Sequence, residues 1–309
     1  MSVLFTFPGQ GSQIPGMLHA LPEHAEVMAT LAEAELVLGR DPRELDGAVA
    51  LQSTVAVQLC LLIAGVAMAR ALIARGARPT MVAGMSLGAY PAAVIAGVID
   101  FRDAVRLVAQ RGMLMENAFP SGYGMRAIVG LERHRVEALV AGVHSDSSPV
   151  YVANYNAERQ IVIAGEHAAM RAVGDSALAE GATRCDLLAV SVPSHCALLA
   201  PAALEMRSAL AGVALRPPRL TYLCSSAARV LRDPARIGED LAENMARQVN
   251  WHDTARLAWE RGARLALEMP SGGVLTNLTQ TAFAEGVAIC CDNTRIETLT
   301  ALVARSSDD

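Results

Sequence analysis

The sequence predicts a mixed α/β fold in which a small β-rich unit interrupts a larger domain. Helical and strand patterns alternate through residues 1–124 and again through 192–309. A strand pattern near residue 84 runs into a helix pattern with only a tight turn between them. Residues 125–191 instead hold short β-rich runs around two helical patterns, in the order βαββαβ that is typical of a ferredoxin-like unit. We therefore expect a large core of 1–124 and 192–309, with a small inserted subdomain of 125–191.

The first part of the core begins with a predicted strand at residues 3–7 and a glycine-rich turn at 8–13. Helical patterns follow at about 22–39 and 51–75, and the second ends at glycine and proline residues that stop a helix. A further helix is predicted at 100–117, because an aspartate stands at its start as a favourable N-cap residue.

The inserted unit is predicted from alternating strand and helix patterns. Its strands are expected near residues 125–129, 150–153, 160–164 and 186–191, and its helices near 131–142 and 166–180. Strands near 220–224 and 265–268 then resume the alternation of the core. A small domain inserted into a larger α/β domain is the simplest account of this order.

Residues 84–90 read Gly-Met-Ser-Leu-Gly-Ala-Tyr and lie between the predicted strand and helix. In that context Gly-x-Ser-x-Gly is typical of a nucleophile elbow. We expect no room for a side chain at Gly84 or Gly88, because the strand and helix backbones nearly touch there. Ser86 is then exposed at a helix N-terminus, where N–H groups can stabilise an oxyanion. Pro91 predicts a small irregularity at the start of that helix.

His195 is the best candidate for the base that a serine nucleophile needs. It follows a predicted strand, and Pro193 stiffens its loop, although a merely packed histidine is the alternative. In an α/β-hydrolase triad the histidine lies near the C-terminus, whereas His195 precedes a long stretch of chain. This argues against an ordinary α/β-hydrolase and permits a Ser–His dyad whose histidine is oriented by a backbone carbonyl.

Arg111 falls on the apolar stripe of its predicted helix, three residues after Val108 and four before Met115. A guanidinium directed at a core stays charged, so it needs an anionic partner or a wet pocket. An internal ion pair or a side chain that reaches back to solvent is the alternative.

The composition excludes several classes of function. The chain has 309 residues, of which 52% are hydrophobic and 18% charged, which is typical of a folded globular protein. It contains no lysine, which excludes Schiff-base, P-loop and pyridoxal-phosphate lysines. A net charge of −5 with 4% aromatic residues disfavours nucleic acid as a partner. The six cysteines show no metal-type spacing, so we expect small buried side chains and no metal site.

Membrane insertion and export are not expected. The longest apolar stretch, 59–69, is too short to span a bilayer. The first residues have neither a basic segment nor a cleavage site of the kind that signal peptides carry. We therefore expect a cytoplasmic protein.

Taken together, four separated motifs resemble the malonyl-CoA:acyl-carrier-protein transacylase family, over nearly the whole chain. The motifs are Phe7-Pro8-Gly9-Gln10-Gly11-Ser12-Gln13, Gly84-Met85-Ser86-Leu87-Gly88, Gln110-Arg111-Gly112 and Val192-Pro193-Ser194-His195-Cys196-Ala197. The resemblance implies an α/β-hydrolase-like core with a parallel sheet and an inserted ferredoxin-like subdomain. It also implies that Ser86 is the nucleophile and His195 its base.

The same resemblance implies roles for four further residues. Gln10 and the backbone N–H of Leu87 would form the oxyanion hole. Arg111 would bind the malonyl carboxylate, and the main-chain carbonyl of Asn250 would orient the histidine. No permanently bound cofactor is implied.

Two residues of the elbow depart from the fatty-acid-synthesis members, which usually have His and Glu where this chain has Met85 and Ala89. The elbow instead resembles the transacylase subunit of biotin-independent malonate decarboxylase. That resemblance implies malonyl-CoA as substrate and the decarboxylase's carrier subunit as acyl acceptor, whose phosphopantetheine-type thiol arm is a modified dephospho-CoA. The other decarboxylase subunits are then further candidate partners.

Three alternatives stay open on the sequence alone. The first is a transacylase of fatty-acid or polyketide synthesis, which loads an ordinary carrier protein. The second is a serine thioesterase or other hydrolase, in which water replaces the carrier thiol. The third is a non-catalytic scaffold subunit that has kept the fold.

Overall fold

The computed structural model describes residues 2–119 and 121–308. The strands, numbered in chain order, are β1 (Ser2–Phe7), β2 (Met81–Gly84), β3 (Tyr123–Val129), β4 (Val150–Ala157), β5 (Gln160–Glu166), β6 (Arg184–Leu187), β7 (Thr221–Cys224), β8 (Arg229–Leu231), β9 (Val249–Asn250), β10 (Ala263–Glu268) and β11 (Val287–Cys290). They form two sheets, one of six strands and one of five.

The helices surround these sheets and are also numbered in chain order. They are α1 (Ala25–Leu38), α2 (Thr54–Ala74), α3 (Ala89–Ile95), α4 (Phe101–Ala118), α5 (Arg133–Val143), α6 (His167–Ala179), α7 (Ala200–Leu210), α8 (Pro234–Glu243), α9 (Trp251–Glu260), α10 (Val274–Gln280) and α11 (Ile296–Asp308). Short 3₁₀ turns, among them Ser86–Gly88 and Asn244–Ala246, connect some of them.

The six-stranded sheet has the order β11-β10-β1-β2-β7-β8. All neighbouring strands in it are parallel except β8, which runs antiparallel to β7 at one edge. Parallel strands need crossover connections, which the helices supply, and helices then cover the faces of the sheet. The predicted α/β class with a parallel sheet is confirmed.

The five-stranded sheet has the order β6-β3-β5-β4-β9. Its first four strands are antiparallel and, with α5 and α6, make the βαββαβ unit expected from the sequence. The fifth strand, β9, comes from the larger core and pairs parallel with β4. Because this pairing continues the sheet across the junction, the limits 125 and 191 of the subdomain stay a prediction.

Helix α2 is a core helix of the larger domain. It is long and apolar enough to cross a membrane by length and composition alone, which the shorter stretch 59–69 did not indicate. Within the fold, 89% of its most apolar part is buried, since α1, α3 and α4 pack around it. A helix covered on all sides has no need of a polar face, and this explains its composition.

The turn after β2 is as tight as the sequence predicts. A Cβ at Gly84 would lie 1.9 Å from the carbonyl carbon of Gly88, and a Cβ at Gly88 would lie 2.0 Å from the carbonyl oxygen of Phe7. Ser86 sits between them with φ of 55°, in the left-handed region. The helix opens with a 3₁₀ turn at Ser86–Gly88, so the expected irregularity lies just before Pro91. Pro91 itself falls in the first turn of α3, where N–H groups lack helical partners.

Candidate active site

A cavity of about 240 Å³ lies between the Ser86 turn and one face of the five-stranded sheet. Four side chains predicted from the sequence line it: Gln10, Ser86, Arg111 and His195. They come from the turn after β1, the turn after β2, helix α4 and the loop after β6, so only the fold brings them together. Leu87 is buried beside them, and its backbone N–H belongs to the start of the 3₁₀ turn.

The Ser86 hydroxyl is held by a hydrogen bond from a cation. Arg111 Nη2 donates to Ser86 Oγ over 3.1 Å. On the backbone side, Asn244 Nδ2 donates to the Ser86 carbonyl over 3.2 Å. The left-handed turn therefore carries a serine whose two oxygens are both fixed by side chains from other elements, and the hydroxyl faces the cavity.

Arg111 is a buried cation whose partners are all neutral. Its side chain is 1% exposed, and it donates to Gln58 Oε1 at 2.8 Å and to Asn244 Oδ1 at 3.2 Å, besides Ser86. No carboxylate of the described residues forms an ion pair with it, and its Nε has no partner there. Burial lowers the pKa of Arg111 to about 10, which still leaves it charged at neutral pH. A buried charge without a counterion is costly, so the site is suited to an anionic ligand.

His195 is buried with its ring orientation fixed. Its Nδ1 lies 2.8 Å from the carbonyl oxygen of Asn244 and 3.1 Å from that of Arg247. Because carbonyls only accept, Nδ1 carries the proton and Nε2 is left as the acceptor that a general base requires. Burial, and secondly the charge of Arg111, lower the pKa of His195 to about 4. The imidazole is therefore neutral, and able to take a proton, at physiological pH.

The prediction that the Asn250 carbonyl orients His195 is wrong. Asn250 ends β9 and precedes α9, and its carbonyl accepts instead from Thr254 Oγ1 at 2.7 Å. Its position on the sheet, paired with Tyr155, commits it to the start of that helix. The turn that begins at Asn244 brings the orienting carbonyls to the imidazole.

Sequence reasoning missed two polar residues of the site. Asn244 uses its side chain on both Arg111 and Ser86 and its carbonyl on His195, so it connects all three. Nothing in its sequence context signals that role. Gln58 could have been found, because it is the polar side chain in the otherwise apolar stretch 55–69. A buried amide in such a stretch needs a partner, and here that partner is Arg111.

The described residues contain no group of three or more His, Cys, Asp or Glu side chains that could hold a metal ion. All six cysteines are free thiols, and four of them, Cys60, Cys196, Cys224 and Cys291, are buried. Burial raises the pKa of the Cys196 thiol, which lies next to the candidate base, to about 12. That thiol is therefore protonated at neutral pH and is a poor nucleophile.

The chain is similar to known proteins over most of its length. Residues 4–308 match the family model described as acyl transferase domain. The malonyl CoA-acyl carrier protein transacylase of Salmonella typhimurium is 38% identical over 282 residues, which cover 89% of this chain and 91% of that protein. The protein of the same name from Bacillus subtilis is 32% identical and covers 90% of this chain and 89% of its own length.

Solved structures agree with these relatives. An acyl-carrier-protein S-malonyltransferase from Burkholderia pseudomallei superposes with a TM-score of 0.92 at 37% identity, covering 97% of this chain and all of the other. A malonyl-transacylase solved in complex with its type II polyketide synthase acyl carrier protein gives a TM-score of 0.91 at 36% identity. It covers 99% of this chain and all of that one.

The electrostatic coupling between Arg111 and His195 can be measured. Replacing Arg111 by Gln removes a positive charge that disfavours the imidazolium, so the pKa of His195 should rise from about 4. It should stay below the ordinary 6.5, because burial, the larger cause, is unchanged. A pH titration of the imidazole carbon signals by NMR gives the value. Arg106→Gln, an exposed arginine of the same helix, is the matched control. An unchanged histidine pKa in Arg111→Gln contradicts the coupling.

Proposed function

Because this chain belongs to the acyl transferase domain family, we propose that it moves a malonyl group from malonyl-CoA to the thiol of an acyl carrier protein through a malonyl-serine intermediate. One observation carries the choice of substrate: Arg111, a buried cation with no carboxylate partner among the described residues, contacts the hydroxyl of the candidate nucleophile. Malonyl differs from acetyl by one carboxylate. A carboxylate is the counterion that Arg111 lacks among the described residues. The names of the relatives support the same substrate.

The first half-reaction acylates Ser86. Its Oγ attacks the thioester carbonyl carbon while His195 Nε2 takes the hydroxyl proton. The oxyanion accepts hydrogen bonds from the Gln10 side chain and the Leu87 N–H. When the tetrahedral intermediate collapses, the carbon–sulfur bond breaks and the imidazolium returns the proton to the CoA sulfur. In the second half-reaction the carrier thiol gives its proton to Nε2, attacks the ester and releases Ser86.

The malonyl carboxylate would do more than fix the substrate in place. In the free site, Arg111 donates to Ser86 Oγ and lowers the pKa of His195. A carboxylate bound to the guanidinium neutralises that charge, so the pKa of the histidine rises when substrate binds. The carboxylate would also take the donor that now holds the hydroxyl. The base thus becomes stronger and the nucleophile freer only when the correct acyl group is present.

Two carriers are candidates for the acyl acceptor. One relative is named malonyl CoA-acyl carrier protein transacylase, and another was solved with a type II polyketide synthase acyl carrier protein; these names favour a phosphopantetheine carrier of fatty-acid or polyketide synthesis. Met85 and Ala89 in the elbow favour the second candidate, the carrier subunit of malonate decarboxylase. Offering both carriers to the malonyl-enzyme in equal amounts, and measuring which is charged faster, decides between them. Either acceptor fits a cytoplasmic protein.

Two other hypotheses are weaker. A thioesterase would use the same Ser86 and His195, but the relatives are named as transacylases. A scaffold subunit would have no need to keep a buried Arg111, without a carboxylate partner in the described part of the chain, beside a serine hydroxyl.

The proposed intermediate can be detected by mass. Incubated with malonyl-CoA, the protein should gain a malonyl adduct in intact-mass spectra, and the adduct should disappear when a phosphopantetheine carrier is added. Ser86→Ala should gain none, while Ser208→Ala, an exposed serine on α7, should behave as the unchanged protein. An adduct on Ser86→Ala contradicts the nucleophile assignment. Decay of the adduct at the same rate without carrier supports the thioesterase.

The substrate assignment predicts a change in selectivity. A charge-assisted hydrogen bond to the malonyl carboxylate contributes about 1.5–3 kcal/mol, or roughly 10- to 100-fold in kcat/KM. Arg111→Ala should therefore lower the ratio of malonyl-CoA to acetyl-CoA turnover by that factor. Arg106→Ala is the matched control on the same helix. An Arg111→Ala enzyme that keeps the full preference for malonyl-CoA would contradict the assignment of Arg111 as the carboxylate-binding residue.

A further inference from the structure

The side-chain amide of Gln10 has no internal partner that could hold it in place. Gln10 is partly buried and lines the active-site cavity, and its amide forms no hydrogen bond with the described residues. In the proposed mechanism that amide is an oxyanion donor, and such a donor stabilises the transition state most when its position is fixed beforehand. A long side chain without a partner samples several rotamers, which costs entropy when it is ordered. Its placement therefore depends on the backbone turn that carries it.

Two buried serine hydroxyls hold that turn. Ser12 Oγ donates to the carbonyl oxygen of Gly9 over 2.9 Å and so closes the chain around Gln10. Ser271 Oγ donates to the carbonyl oxygen of Ser12 over 2.5 Å. Ser12 is 7% exposed and Ser271 is 1% exposed, so water has little access to replace either bond. We term Ser12 and Ser271 the serine clamp.

The first residue of the turn packs against the candidate nucleophile. A Cβ at Gly9 would lie 2.9 Å from the carbonyl oxygen of Met85 and 3.4 Å from Ser86 Cβ, so the two backbones are in contact. The Gly9 carbonyl and the Gln10 N–H belong to one planar peptide unit. The bond from Ser12 to that carbonyl therefore fixes the plane from which Gln10 projects, at a set distance from Ser86.

The other member of the clamp stands on a loop that is itself fixed. Ser271 follows β10, and on one side of it the Met269 N–H donates to the carbonyl oxygen of Thr6 over 2.8 Å. On the other side the Gly272 N–H donates to Asp292 Oδ2 over 2.5 Å. Because β1 and β10 are parallel neighbours, the loop and the Gln10 turn leave the same edge of the sheet. The Ser271 hydroxyl thus reaches the turn from a fixed position.

We propose that Ser12 and Ser271 are positioning residues that hold Gln10 ready to stabilise the oxyanion. The inference rests on the proposed function, in which Gln10 acts during acyl transfer. Ser271 does not line the active-site cavity, so it acts through the Ser12 carbonyl and not on substrate. Ser12 does line the cavity, but its hydroxyl donates its proton to Gly9. The clamp sets the geometry of the donor and takes no part in proton transfer.

A double-mutant cycle tests the serine clamp. Ser271→Ala removes the bond to Ser12 and should lower kcat for malonyl transfer about three- to tenfold. The KM for malonyl-CoA should change less than about twofold, because the oxyanion forms only after substrate is bound. In a Gln10→Ala background the same substitution should change kcat less than about twofold, since the group that it positions is gone. An equal loss in both backgrounds overturns the proposal.

A matched control and a second variant guard against a loss of folding. Thr254→Val removes another buried hydroxyl, which donates to a backbone carbonyl over 2.7 Å away from the cavity lining, and it should leave kcat unchanged. Assays run below the melting temperature of every variant keep lost stability from mimicking lost kcat. If Ser271→Ala does not fold, Ser12→Ala carries the same cycle, with the same expected pattern. A single-variant kcat equal to that of the unchanged protein also overturns the proposal.

Acylation by p-nitrophenyl acetate separates the clamp from the proposed function. This ester transfers its acetyl group to Ser86 Oγ and releases p-nitrophenolate, so it needs neither a malonyl group nor a carrier, and Ser86→Ala gives the background rate. The Ser271→Ala loss should appear in the acylation rate and vanish in Gln10→Ala protein. If malonyl-CoA leaves no adduct while this pattern holds, the proposed function fails and the clamp stands. If malonyl transfer proceeds without the pattern, the clamp fails and the function stands.

Discussion

The site is organised around a buried guanidinium that has no negatively charged partner among the described residues. Arg111 is surrounded by neutral oxygens of Gln58, Asn244 and Ser86, which satisfy its donors without neutralising its charge. That charge donates a hydrogen bond to the Ser86 hydroxyl and helps to keep the imidazole of His195 neutral. It also makes the cavity favourable for an anionic ligand. The proposed substrate preference and the resting position of the Ser86 hydroxyl thus share one electrostatic cause, and the same charge adds to the effect of burial on the pKa of His195.

The rest of the fold holds Arg111 next to the strained turn that carries Ser86. The tight turn after β2 is possible because Gly84 and Gly88 have no side chains, and it holds Ser86 in a left-handed conformation. Helix α4 brings the arginine to it through the packing of α2 and α4, and α2 supplies Gln58. Asn244 then connects the arginine, the serine and the histidine in a single hydrogen-bonded network. The geometry is therefore set by buried contacts before any substrate arrives.

Much of this was predictable because it depends on local patterns. The α/β class, the βαββαβ unit and the elbow follow from strand and helix periodicity and from glycine spacing, and Arg111 stands out as a charge on an apolar stripe. Asn244 was not predictable, since its role comes from tertiary placement of a short 3₁₀ turn. The same holds for the two-residue strand β9 and for the two register shifts in the pairing of β4 with β5. Register depends on the partner strand, and a single sequence does not contain it.

The most direct test of the central claim is a crystal structure of the malonyl-enzyme, trapped with malonyl-CoA in the absence of a carrier thiol. The account predicts an ester on Ser86 Oγ whose free carboxylate lies about 3 Å from the Arg111 guanidinium nitrogens. The arginine keeps its contacts with Gln58 and Asn244 in that state, because those amides orient it. A malonyl carboxylate that points to solvent, with Arg111 paired to another group, would contradict the account.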